Sequence, residues 1–60
     1  MTYQIFECSG TTEPAKLLPN AGRSPEFAKM VRICRFQPEI KVMWFQIEKK
    51  IYYIQVYREA

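Results

Sequence analysis

Sixty residues, nine of them Lys or Arg and six of them Glu, carry a formal net charge of +3. The absence of His removes any Ser–His or Cys–His nucleophilic pair, and two cysteines fall short of the four ligands of a structural zinc site unless two copies pool their thiolates. A chain this short makes one domain, burying only about 60% of the surface its unfolded form exposes, so it folds narrowly and leans on disulfides, metals or partners.

Thr2–Cys8 sets Tyr3 and Ile5 against Gln4 and Phe6 and is rich in strand formers, which predicts a first strand. The same stretch lacks a basic region, and Glu7 interrupts any apolar core, so no secretory signal is expected. No run approaches the roughly 18 apolar residues of a membrane span. The expected compartment is the cytoplasm, where thiols stay reduced. Cys8 and Cys34 are then small buried hydrophobes, with a disulfide between them as the alternative.

Turn formers accumulate from Ser9 to Gly22: Ser9-Gly10-Thr11-Thr12, Pro14, Pro19-Asn20 and Gly22 itself. This predicts a long loop, with at most one turn of helix at Ala15–Leu18, pinned to the core by Leu17 and Leu18. A loop of that length in so small a domain is either functional or a flexible connection.

Ser24-Pro25-Glu26 is the clearest local signal. Ser caps exposed amides, Pro at the first helical position loses nothing, and Glu complements the positive helix end. The predicted helix spans residues 25–36 and puts Phe27, Met30, Val31 and Cys34 on one face, with Lys29, Arg32 and Arg35 opposite. Gln37-Pro38 stops it. Ile33 and Phe36 fall on the basic side and spoil the pattern. The alternative is a short helix followed by a strand over Val31–Phe36.

Ile40–Ile47 and Ile51–Tyr57 are dense in β-branched and aromatic residues and are separated by Glu48-Lys49-Lys50, which predicts an antiparallel hairpin. No Gly or Asn marks its turn, leaving the register open. With a two- or four-residue loop, Ile47 is expected to face Tyr52, Phe45 to face Ile54 and Met43 to face Val56, an apolar set suited to a core. The reverse face then carries Val42, Trp44, Gln46, Tyr53, Gln55 and Tyr57. A three-residue loop would mix the two sets, so the segregated arrangement is preferred.

That reverse face is the candidate binding surface. Trp44, Tyr53 and Tyr57 are amphipathic aromatics of the kind that dominate binding hot spots. Lys49 and Lys50 are expected to border them at the hairpin tip, Lys41 and Arg58 at its open end, with a further basic arc including Arg32 and Arg35 on the helix. The bland alternative is a sheet covered on both sides, by the helix and by the 9–24 loop. Catalysis is not expected: the six glutamates are scattered, and Gly10 and Gly22 make no phosphate-cradling loop.

Together these features predict a small α+β domain, a strand, long loop, helix and β-hairpin with the helix packed on one sheet face. A small SH3-like barrel is the alternative if residues 28–36 are a strand. The expected function is that of a non-enzymatic inhibitor or adaptor, needing no cofactor, that docks on a larger protein or nucleoprotein complex. By size and by what it lacks, the chain is compatible with accessory proteins of phages and mobile elements. The competing expectation is a module for single-stranded nucleic acid, stacking bases on the aromatic face. No membrane partner is expected. A marginal core and an exposed strand edge further predict a homodimer.

Overall fold

The computed structural model describes residues 1–58. Its elements are β1 (Thr2–Ser9), β2 (Glu13–Leu17), a 3-10 turn (Ala21–Arg23), α1 (Pro25–Phe36), β3 (Val42–Ile47) and β4 (Lys50–Tyr57). The four strands form one antiparallel sheet in the order β2-β1-β4-β3, and α1 lies on one face of it. The domain is α+β. The sheet stays open at β2 and β3, and α1 occupies the residues a barrel would have used as a strand.

The core forms where α1 meets the two central strands. Ile5, Ile54 and Val56 rise from the sheet to meet Val31 and Cys34 of the helix, with Tyr3, Ala21, Phe27, Ile40, Met43 and Phe45 packed around them. Phe27 contributes most toward the hairpin tip. Its ring stands edge-on to Tyr52 at 4.9 Å and to Phe45 at 5.6 Å, while Phe45 and Tyr52 stack on each other across the hairpin. Such aromatic contacts add about 0.5–1.5 kcal/mol each beyond the area they bury, a useful supplement to a five-residue buried core. Ile33 and Phe36, out of pattern in the sequence, point to solvent, Phe36 at 79% exposure.

The region from Ser9 to Gly22 corrects the sequence reading. It is not a long loop, and Ala15–Leu18 holds no helical turn: Glu13–Leu17 is a strand that pairs with β1. Pro14 and Lys16 argue against a strand only if it is central; at an edge, a proline whose missing N–H would face solvent is tolerated. A bulge between Glu7 and Cys8 accommodates it. Leu17 does not pin the segment to the core, being 44% exposed. Instead the Leu18 N–H donates to Ile5 O at 2.8 Å, and the chain turns under the helix. There Gly22 passes so close to the Tyr3 phenol that any Cβ would collide with it.

Two further corrections are local. Ser24 does precede α1, but its hydroxyl donates to the Glu26 carboxylate instead of accepting from the helix amides. The hairpin turn is the two-residue Glu48-Lys49, so Ile47 pairs with Lys50, Phe45 with Tyr52 and Met43 with Ile54. The expected pairing was displaced by two residues. That shift leaves every side chain on its expected face, because the pleat repeats every two residues. With no Gly in the turn, Glu48 itself adopts the left-handed conformation, at φ 57°. Cys8 and Cys34 are free thiols, so the disulfide alternative does not hold.

Candidate functional site

The face of the sheet turned away from α1 is largely uncovered. Phe6 of β1 pairs on one side with Leu17 of β2 and on the other with Tyr53 of β4, which pairs with Trp44 of β3. Opposed residues of adjacent strands share a face. One apolar row, Leu17–Phe6–Tyr53–Trp44, therefore crosses all four strands. The Tyr53 ring lies 5.1 Å from Trp44 and 6.0 Å from Phe6. The next row is Gln4–Gln55–Val42, followed by Thr2 and Tyr57. The Tyr57 hydroxyl donates to Gln4 Oε1 at 2.9 Å, tying these rows together.

Leu17, Val42, Trp44 and Tyr57 are each between 42% and 46% exposed. Half-exposed rings and aliphatic chains side by side on rigid strands make a patch, unlike a lone surface leucine. None of the positions in these rows is charged. The cover expected from the 9–24 segment is limited to the β1–β2 turn. That turn, with Gly10 left-handed at φ 70°, reaches over the face far enough for Thr12 O to accept a hydrogen bond from Trp44 Nε1 at 2.9 Å. The indole is thus held in one orientation while nearly half of its surface stays open.

The basic residues expected to frame this patch are distributed differently. Lys41 and Lys49 are exposed at the two ends of β3. Lys50 alternates with Tyr52 and Ile54 toward the helix side, where its ammonium meets Glu7 Oε1 at 2.8 Å. That hydrogen bond, reinforced by the lysine's charge, holds the Glu7 carboxyl below the usual carboxylate range and raises Lys50 above the usual lysine range. Arg58 turns to the helix layer. Its Nη2 donates to Cys34 O at 2.6 Å, a carbonyl of the last helical turn that Pro38 cannot pair, and lies within reach of Ile40 O at 3.2 Å and of Gln37 O at 3.3 Å, which also accepts from the Ile40 N–H. Arg32 and Arg35 are exposed on α1, on the far side of the sheet from Trp44.

The structure therefore brings Trp44, Tyr53 and Tyr57 together and directs Lys50, Arg32, Arg35 and the Arg58 guanidinium to the helix side, with Arg58 still beside Tyr57 at the open end of the hairpin. Leu17 and Phe6 join the patch without having been singled out in the sequence. Alternation in β1 puts Phe6 on the same side as Gln4, and its cross-strand pairing with Tyr53 is what joins it to the patch. Leu17 lies in a segment whose turn formers predict a loop but which pairs as β2. Burial pushes both the Cys8 and Cys34 thiols up, away from the reactive thiolate form. Among the described residues, no group of three or more Cys, Asp or Glu is placed to hold a metal ion, and no helix is long and apolar enough to cross a membrane. No family model, curated protein or solved structure matches this chain.

Proposed function

We propose that the protein is a non-enzymatic interaction module, an inhibitor or adaptor that docks a larger protein on the open face of its sheet. The observation that carries this reading is the uncharged row Leu17–Phe6–Tyr53–Trp44, half-exposed at both ends and mounted on four strands. Protein interfaces are depleted of charge at their centre and enriched in Trp, Tyr and Phe. A nucleic-acid module needs cations beside its stacking rings to neutralise phosphates, and here Lys50 and Arg58 are engaged on the other layer, which leaves Lys41 and Lys49 of the expected frame at the ends of β3. We place the protein in the cytoplasm, a setting consistent with two unpaired thiols.

The test compares immobilised wild-type protein with three variants in capture from the source cells, with and without nuclease and at low and high salt. Trp44→Ala remains folded, since the indole lies outside the core, and weakens retention of a protein partner by about 2 kcal/mol or more. Leu17→Glu does the same by placing a charge in the patch. The double variant Arg32→Ala/Arg35→Ala retains the partner. Recovery of nucleic acid alone, lost on nuclease treatment, would reverse the reading. So would unfolding of Trp44→Ala, which would make the ring part of the scaffold.

A further inference from the structure

The two edges of the sheet are unlike. β2 carries Pro14, which has no N–H to offer, together with the charged Glu13 and Lys16. Proline and charge are the usual devices that stop a sheet edge from recruiting another strand. β3 has neither: Val42–Ile47 is six residues without a proline or a charge. The C=O of Lys41 accepts from the Val56 N–H at 2.8 Å. Antiparallel rungs alternate between paired and outward-facing main chain, so Val42, Trp44 and Gln46 turn their N–H and C=O groups away from β4. Among the described residues no main-chain hydrogen bond reaches that outer side. Nor does the Trp44 side chain screen it. The indole is drawn back over its own sheet, against Tyr53 and onto Thr12 O.

We propose that this edge pairs with the same edge of a second copy, antiparallel about a two-fold axis at Trp44, to give a continuous eight-stranded sheet. In that register Trp44 lies opposite the second copy's Trp44, and Val42 opposite the second copy's Gln46. It is the symmetric register that engages all the outward-facing residues of both strands. A closed two-fold contact uses one surface twice, and this surface suits a copy of itself. Each chain has a net charge of +3, yet no cation lies within β3. The two-fold pairing also keeps both open faces on the same side. The row Leu17–Phe6–Tyr53–Trp44 then continues into its symmetry mate, doubling the uncharged patch. This inference concerns the purified chain alone and stands whether or not the patch binds a foreign partner.

Sedimentation of the purified protein from micromolar to millimolar concentration tests it, together with amide hydrogen exchange over the same range. The expected result is a mass rising from 7.2 kDa toward twice that value, while exchange at Val42, Trp44 and Gln46 slows. Val42→Lys puts a charge on the edge, and Gln46→Pro removes an outward N–H without touching the β4 ladder. Each raises the dimer dissociation constant by about tenfold or more. Leu17→Glu, on the far edge, leaves it unchanged. A wild-type chain that remains at 7.2 kDa throughout overturns the proposal. So does a dimer whose β3 amides exchange as fast as the monomer's, or one abolished by Leu17→Glu alone, which would indicate stacked faces.

Discussion

Glu48 is the residue where backbone and side-chain preferences disagree most openly. A two-residue hairpin turn wants a residue tolerant of positive φ, and the sequence supplies a glutamate at φ 57°. Left-handed backbone costs an ordinary L-residue about 1–2 kcal/mol, and Asn bears it more easily. Glu48→Asn should therefore raise stability by about 0.5–1 kcal/mol, seen as a higher urea midpoint with an unchanged slope. The bond from Gln46 Nε2 to the Glu48 carbonyl, at 3.1 Å, does not involve the side chain that is replaced.

Glu7 and Lys50 offer a second test at the same scale. Glu7 titrates below the ordinary carboxylate range because Lys50 donates to it, with Lys16 assisting. The stability this pair provides is complete above the unfolded carboxylate value and is lost as pH falls through the lowered value of Glu7. At the alkaline end, Lys50 is raised by the same partner, so the contribution is lost only as pH climbs through that raised value. The pair is surface-exposed, and salt screens it. Glu26 is also lowered, but by the Ser24 hydroxyl. Carboxyl chemical shifts followed through an acid titration should show Lys50→Ala returning Glu7 most of the way to normal and leaving Glu26 low. Ser24→Ala should do the reverse.

Among the elements, α1 was the most legible and β2 the least, for a physical reason. Ser24-Pro25-Glu26, the 3.6-residue spacing of Phe27, Met30, Val31 and Cys34, and the stop at Gln37-Pro38 all lie within one stretch of chain. The helix can be read without knowing what it packs on. β2 has no such local signature. Glu13-Pro-Ala-Lys-Leu17 is a strand only because β1 presents an unpaired edge to it, and that edge is contributed by residues earlier in the chain. The hairpin falls between these cases. Alternation fixed its faces, but pairings two residues apart share the same faces, so the sequence could not choose between them.

The end of α1 depends on contacts equally remote in sequence. Arg58 Nη2 meets the carbonyls of Cys34, Gln37 and Ile40, stitching the last described residue of the chain to the helix terminus. Charge-assisted hydrogen bonds of this kind contribute about 1.5–3 kcal/mol. Arg58→Ala should cost about 2 kcal/mol, and the loss should show first as faster amide exchange at Phe36 and Gln37. Uniform acceleration across α1 and β4 would mean instead that the arginine supports the whole fold and not the helix end in particular.

For the molecule as a whole, the consequence is a division of labour between two surfaces. The sheet face carries Leu17, Phe6, Tyr53, Trp44 and Val42 without charge, while α1 turns Lys29, Arg32, Arg35 and the exposed Phe36 to solvent on the opposite side. The aromatic half of the candidate site was legible because strand alternation alone groups Trp44, Tyr53 and Tyr57. Of its expected basic frame, Lys41 and Lys49 do stand exposed at the ends of β3, whereas Lys50 and Arg58 are engaged by Glu7 and by the end of α1, partners far away in sequence. Drawing Lys50 and Arg58 away from the rings is what favours the proposed protein partner over a phosphate backbone. The most direct measurement is the partner's footprint on isotopically labelled protein, read as chemical-shift changes on titration with the captured partner. The signals of Leu17, Phe6, Tyr53 and the Trp44 indole N–H should move, with those of Arg32, Arg35 and Phe36 unaffected. A footprint centred on Arg32, Arg35 and Phe36, with the sheet face unmoved, would contradict the assignment of the open face as the binding surface.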